Sequence, residues 1–153
     1  MNSVTEGTHT LEDVTVPVKL KLVALWTATM FLFAYGDIFT LYRADKVREI
    51  LAGRITGIEV TEAFLMAVSV YVAIPSVMVF LSLALRPAAS RWTNLAVGAV
   101  YALTIIASAI GEGSAYSIFL SVLEITLVLL IVWLAWNWPR RPALPVRETR
   151  TEP

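Results

Sequence analysis

An all-α membrane fold is predicted for this chain: four spanning helices packed up and down, with both termini on the cytoplasmic face. Three features predict it. The 153 residues are 58% hydrophobic and 16% charged, whereas an ordinary soluble domain is about 45–50% apolar and about 25% charged. The apolar residues gather into four runs, each near the roughly 20 residues that cross a bilayer as a helix. The later connections are short and turn-rich, which makes successive helices antiparallel neighbours.

Residues 1–18 are polar, acidic and rich in Ser and Thr. They are read as a cytoplasmic tail, with Pro17 discouraging helix before it. They are too polar and acidic for the n-region of a signal peptide. The first span covers residues 20–42, flanked by Lys19 and Lys21 at its start and Arg43 at its end. Asp37 lies inside it, about 9 Å past the helix centre at about 1.5 Å per residue. Trp26, Met30, Phe33 and Asp37 recur at helical spacing and share a face.

Residues 43–58 mix charges with Val47, Ile50, Leu51 and Ile55. That pattern predicts a short amphipathic helix in the interface, interrupted near Gly53. Thr56-Gly57-Ile58-Glu59 has the form of a capping box, so the second span is expected over residues 59–85, with Glu59 and Glu62 favoured by the helix dipole. Pro75 falls inside it. A proline there removes its own N–H, frees the carbonyl of Tyr71 and predicts a kink. Neighbouring helices can satisfy the freed group. Residues 86–91 read as a turn. The third span, 91–110, is rich in small residues, and Gly98 and Ala102 form a pair that lets helix backbones approach closely. After a tight turn at 111–114 the fourth span runs over 115–138. The proline-rich, basic residues 139–153 are expected to be disordered. One membrane domain, residues 19–138, therefore carries the fold.

Orientation follows from charge. Lys19, Lys21, Arg86, Arg91, Arg140, Arg141, Arg147 and Arg150 lie on the side of the termini, against Arg43, Lys46, Arg48 and Arg54 on the other. The positive-inside rule puts the termini in the cytoplasm of a multi-pass plasma-membrane protein. Trp26, Trp92, Trp133, Trp136 and Trp138 fall in the cytoplasmic halves, and Tyr35, Tyr42 and Tyr116 in the outer halves, as aromatic belts require.

Glu124, near the middle of the fourth span, is the sharpest candidate for chemistry. A charge at that depth costs about 2.5–3.5 kcal/mol on insertion scales, so the group needs a partner, a proton or a polar cavity. Ser117 and Ser121 extend a polar stripe from it toward the outside. Two readings stand: an exchanging carboxyl at the bottom of an outward cavity, or a protonated glutamate bonded to a neighbouring helix, where the Tyr71 carbonyl lies at similar depth. Asp37 differs from Glu124 in depth by about 6 Å. The two could share a polar site if the first and fourth spans are neighbours; alternatively Asp37 reaches the headgroups or pairs with Arg43 or Arg54. Glu62 is a lesser candidate for an outer vestibule. Tyr71 and Tyr101, near mid-span, could donate to a carboxylate or simply pack. Arg91 and Asn94 are expected at phosphate headgroups.

Other chemistry is excluded or unsupported. The chain has no cysteine and a single histidine, so no thiolate metal site, multi-histidine metal site or bis-histidine haem site can be built within it. Balanced charge, with 12 basic and 12 acidic residues, gives no footprint for nucleic acid. No P-loop, HExxH or nucleophile elbow appears, so the chain reads as a non-enzyme, and the residues name no cofactor. The expected partners are the lipid bilayer and, because four helices are few for a complete pore, a second copy or another membrane protein.

Several stretches resemble a bacterial family of small four-helix membrane proteins of unknown function: Trp26 within KLKLVALW, Tyr35-Gly36-Asp37-Ile38, Ile74-Pro75, Phe80-Leu81-Ser82 and SRWTN at 90–94. The resemblance runs from about Val18 to Trp138 and implies a four-span protein. The layout also looks like that of the DoxX-like group, whose members are linked to quinone or thiol redox partners. Without cysteine, the thiol half of that link would need a partner protein. Three functions are carried forward: transport of a proton, cation or small solute through Asp37 and Glu124; a non-catalytic membrane partner or scaffold whose carboxyls fix packing; and a membrane subunit of a quinone-linked redox system.

Overall fold

The computed structural model describes residues 15–110 and 113–139. Most of both expected tails and the loop residue Glu112 lie outside the described residues. Five helices and one short hairpin make up the rest: α1 Val18–Thr40, α2 Ala44–Leu51, β1 Arg54–Ile55, β2 Ile58–Glu59, α3 Glu62–Ala84, α4 Pro87–Ala109 and α5 Ala115–Trp136. Helices α1, α3, α4 and α5 are long and apolar enough to cross a membrane. Their outer faces present large apolar side chains, including Phe31, Met66, Phe80, Leu103 and Phe119. A water-soluble chain would bury such a surface, whereas lipid solvates it.

The four long helices close into an up-down ring. α1 packs on α3 and on α5, α4 packs on α5, and α3 against α4 is the loosest of the four pairings. The start of α1, the end of α3, the start of α4 and the end of α5 therefore share one end, called here the basic end after Lys19, Lys21, Arg86 and Arg91. The interior has two apolar layers. Leu22, Trp26, Met78 and Ile131 form the one nearer the basic end. Tyr101, Ala102, Ile105 and Val128 form the other.

Several boundaries differ from the sequence reading, each for a local reason. Thr56-Gly57 is not a helix cap. Both residues have positive φ (51° and 77°), which is the twist of a two-residue hairpin turn, and they join β1 to β2 with Ile55 opposite Ile58. α3 starts three residues later than expected, at Glu62. Its N-cap is Thr61, whose side chain accepts from the Phe64 N–H at 3.2 Å. Thr61→Ala should cost about 1 kcal/mol, read as a shift in a denaturing-detergent titration of the purified protein. Residues 87–91 are helix rather than turn, because Pro87 occupies the first turn of α4, where its missing N–H is harmless. Pro75 lies within a continuous α3. The Tyr71 carbonyl it frees accepts from the Tyr101 hydroxyl of α4.

The expected break near Gly53 is present: α2 stops at Leu51 and Gly53 has φ 74°. The segment is tied to itself, since the Glu49 carboxylate accepts from the Gly57 N–H at 2.6 Å and Val60 N–H donates to the Gly53 carbonyl at 2.8 Å.

At the basic end two cations cap helix C-termini rather than reaching for headgroups. Lys19 donates to the carbonyls of Leu83 and Leu85 at 2.8 and 2.6 Å. Arg91 donates to Ala135 and Trp136 at 3.1 and 3.4 Å while lying over the Trp92 ring. Both placements complement the negative pole of the helix dipole.

Candidate functional site

The loose pairing of α3 with α4 leaves a cavity at the end away from the basic end. Its volume is about 600 Å³. α1 contributes Phe33, Gly36, Asp37 and Thr40, while α5 contributes Tyr116, Ser117, Leu120, Ser121 and Glu124. Val68, Tyr71 and Val72 of α3 face Thr104, Ile105 and Ser108 of α4 across it. The segment between α1 and α3 covers the mouth with Lys46, Glu49, Ile50, Ile55 and Thr56.

Glu124 sits on α5 nine residues beyond Ala115, about 13 Å in from the helix start at about 1.5 Å per residue. Its carboxylate lies against Gly36: a methyl group built there would be 3.9 Å from Oε1. Asp37 is the next residue on α1 and lines the same cavity as Glu124. No described protein group donates a hydrogen bond to either carboxyl. The hydroxyls of Ser117 and Ser121 likewise have no partner among the described residues, although helical serines commonly bond the carbonyl one turn back. These four side chains are the free polar groups that α1 and α5 bring to the cavity; the Thr56 hydroxyl at the mouth also has no partner among the described residues.

Most of the remaining polar lining is tied down. Thr104 Oγ1 donates to the Tyr101 carbonyl at 3.0 Å, so its partner Tyr71 Oη, at 2.9 Å, is the donor between them. Tyr71 stacks on Tyr101 with ring centroids 4.7 Å apart, and Phe33 stacks on both at 6.3 Å. This plate of three rings closes the cavity toward the apolar layers. At the mouth, Arg43 bridges to Asp45 at 2.7 Å and donates to Ser114 at the start of α5. The Arg43 guanidinium holds the Asp45 carboxyl below the usual carboxylate range. Lys46 stands 3.8 Å from Glu49.

The structure thus gathers Glu124, Asp37, Ser121 and Tyr71 around one space. It does not bring Glu62 into the lining. Tyr101 stands behind Tyr71 and donates to a backbone carbonyl, not to a carboxylate. The Tyr71 carbonyl is taken by Tyr101, so it is not the partner of Glu124, and Arg43 turns to Asp45 rather than Asp37. Sequence reasoning missed Phe33, Thr104, Ser108 and Tyr116 as lining residues. Phe33 was the traceable one, since it lies one turn before Asp37 on the same face.

A second polar cluster lies near the basic end and is fully buried. Trp26 Nε1 donates to Asn94 Oδ1 at 2.7 Å, and Ser82 Oγ donates to the same oxygen at 3.1 Å. Asn94 Nδ2 donates to the Ser90 carbonyl at 2.8 Å, and Ser90 Oγ donates to the Ser82 carbonyl at 3.1 Å. Asn94 has no exposed surface, which overturns its expected place at the headgroups. Trp26 is equally buried and is not a belt residue. With every donor and acceptor engaged, this cluster joins α1, α3 and α4 and has no opening for a ligand.

A model described as a family of unknown function, DUF6326, matches residues 16–144, most of the sequence. The chain belongs to DUF6326. No curated protein and no solved structure matches it. The stretches that carried the resemblance fall on the two polar features of this DUF6326 chain. Trp26, Ser82, Ser90 and Asn94 build the buried cluster, Tyr35-Gly36-Asp37-Ile38 passes the cavity, and Pro75 frees the carbonyl that Tyr101 takes.

Proposed function

We propose that this is a membrane transport protein for a proton, a cation or a small solute, with Glu124 and Asp37 as its working carboxyls. The observation that carries the reading is their convergence, with unpartnered Ser117 and Ser121, on one cavity that opens toward a single end of the bundle. A carboxyl kept at this depth is costly unless something polar reaches it. The excess of basic residues at the opposite end supports a cytoplasmic placement of the termini, so the cavity opens outward. The protein then sits as a multi-pass component of a bacterial plasma membrane. No step in this reading calls for bond-making chemistry, and the protein is treated as a non-enzyme.

The test is flux through proteoliposomes of the purified protein, loaded with a pH-sensitive dye and driven by an imposed potassium diffusion potential, with sodium added in parallel. Glu124→Gln keeps size and hydrogen-bonding capacity while removing the titratable group. It should cut proton or sodium flux at least tenfold with an unchanged unfolding midpoint. Flux equal to that of the parent chain would refute the role of Glu124.

A further inference from the structure

The chemistry of the lining restricts what can occupy it. Anions are disfavoured, because the charges that α1 and α5 bring to the lining are both carboxyls, Asp37 and Glu124. The cations of the lining stand at the mouth and are already engaged, Arg43 with Asp45 and Ser114, and Lys46 near Glu49. Divalent metals fit poorly too. Among the described residues no group of three His, Cys, Asp or Glu could hold a metal ion, whereas Ca²⁺ takes roughly six to eight oxygens and Mg²⁺ sheds water reluctantly.

A different class of cation matches both halves of the lining. The carboxyls share the cavity with Phe33 and Tyr71, whose stacked rings are 27° apart in plane. An aromatic ring face and a carboxylate both attract an ammonium carried on an apolar body, and such a body loses little on leaving water. Ser117 and Ser121 offer hydroxyl oxygens to any N–H group. A space of about 600 Å³ is in the range of small-molecule pockets, about 300–1,000 Å³, and far exceeds what a bare ion needs.

The geometry points to a small organic ammonium ion as the ligand, its nitrogen between Glu124 and Asp37 and its apolar body against Phe33 and Tyr71. This assignment rests on the transport reading of the cavity and names its substrate class.

The probes are benzyltrimethylammonium, tetramethylammonium and the uncharged isostere 3,3-dimethyl-1-butanol, titrated calorimetrically into the protein in nanodiscs. Benzyltrimethylammonium should bind saturably and the alcohol should not. Glu124→Gln should weaken binding at least tenfold. Asp37→Asn, at an exposed position that cannot disturb the core, should weaken it about threefold or more. Phe33→Leu should weaken benzyltrimethylammonium by about 3–10-fold, in line with the loss of one cation–π contact. Equal binding of the alcohol, or ammonium binding indifferent to both carboxyl variants, would overturn the assignment. No ammonium binding beside persistent Glu124-dependent proton or sodium flux would overturn it as well, while leaving the wider transport reading standing. Absence of both would remove the two together.

Discussion

Asn94→Leu is expected to destabilise the bundle by about 2–4 kcal/mol, one of the two largest effects of any single substitution considered. The side chain is fully buried, and its Oδ1 accepts from both Trp26 Nε1 and Ser82 Oγ. Leucine leaves those two donors without an acceptor in an apolar interior, at about 1–3 kcal/mol for each orphaned group. Interhelical hydrogen bonds inside membranes average nearer 0.6 kcal/mol, with about 1–2 kcal/mol in peptide systems, so the lower part of the summed range is the better estimate. Titration with denaturing detergent, followed by tryptophan fluorescence, reads the change. Trp26→Phe removes one donor and leaves Asn94 with Ser82 and Ser90, so it should cost less for the hydrogen bond alone. The double variant should fall short of the sum by at least about 0.5 kcal/mol, as expected for groups in one network. An Asn94→Leu effect within about 0.5 kcal/mol of zero, the range of ordinary surface changes, would show that the cluster does not hold the three helices together.

Gly98→Val should cost a similar amount by a different route. A Cβ at this position would lie 2.9 Å from Val132 Cγ2 and 3.8 Å from the Val128 carbonyl oxygen. Glycine is otherwise the poorer helix former by about 1 kcal/mol against alanine, so propensity alone favours replacement. The clash decides the sign. Val132 is β-branched and nearly locked at χ1 in a helix, so it cannot swing away and α4 must separate from α5. Overpacking of this kind costs about 1–3 kcal/mol, and the further methyl groups of valine put the variant at the upper end. Val132→Ala removes the obstructing methyl group. Gly98→Ala combined with Val132→Ala should therefore recover stability relative to Gly98→Ala alone, read in the same titration. Absence of that recovery would mean the two helices do not meet as described.

The spans were legible because hydrophobicity over some 20 residues survives any local error. The polar details were legible only where one face could be read alone. Trp26, Met30, Phe33 and Asp37 were assigned a shared face, and three of them meet the polar features: Trp26 in the buried cluster, and Phe33 and Asp37 at the cavity, while Met30 meets the exposed Ser76. Glu124 stood out because nothing else ionisable lies near its depth on α5. What could not be read was which helices supply the partners. Asn94 looked like an interfacial residue because it follows Arg91, yet it lies one turn further along α4 and faces inward. Ser82 and Ser90 give no sign in sequence that the Ser90 hydroxyl will meet the Ser82 carbonyl. The capping-box reading of Thr56 failed because Gly57 favours a positive-φ turn, and the hairpin carries Thr56 into the left-handed region as well, where a β-branched residue is rare. Gly98 was read as a close-approach residue, and the structure shows its neighbour to be α5 of the same chain.

The two ends of the molecule are unequally fastened. Near the termini, three helices are stitched by Asn94 and its donors, and Lys19 and Arg91 clamp the last carbonyls of two helices. At the far end α3 and α4 part around a hollow, held there by the Tyr101–Tyr71 and Tyr71–Thr104 hydrogen bonds. Such a molecule is expected to flex as tweezers do, with its pivot at the stitched end and its travel at the open tips. Amide exchange along α4 should grade accordingly, slow around Asn94 and Gly98 and faster toward Thr104 and Ser108. The width of the hollow can then change without any helix coming apart.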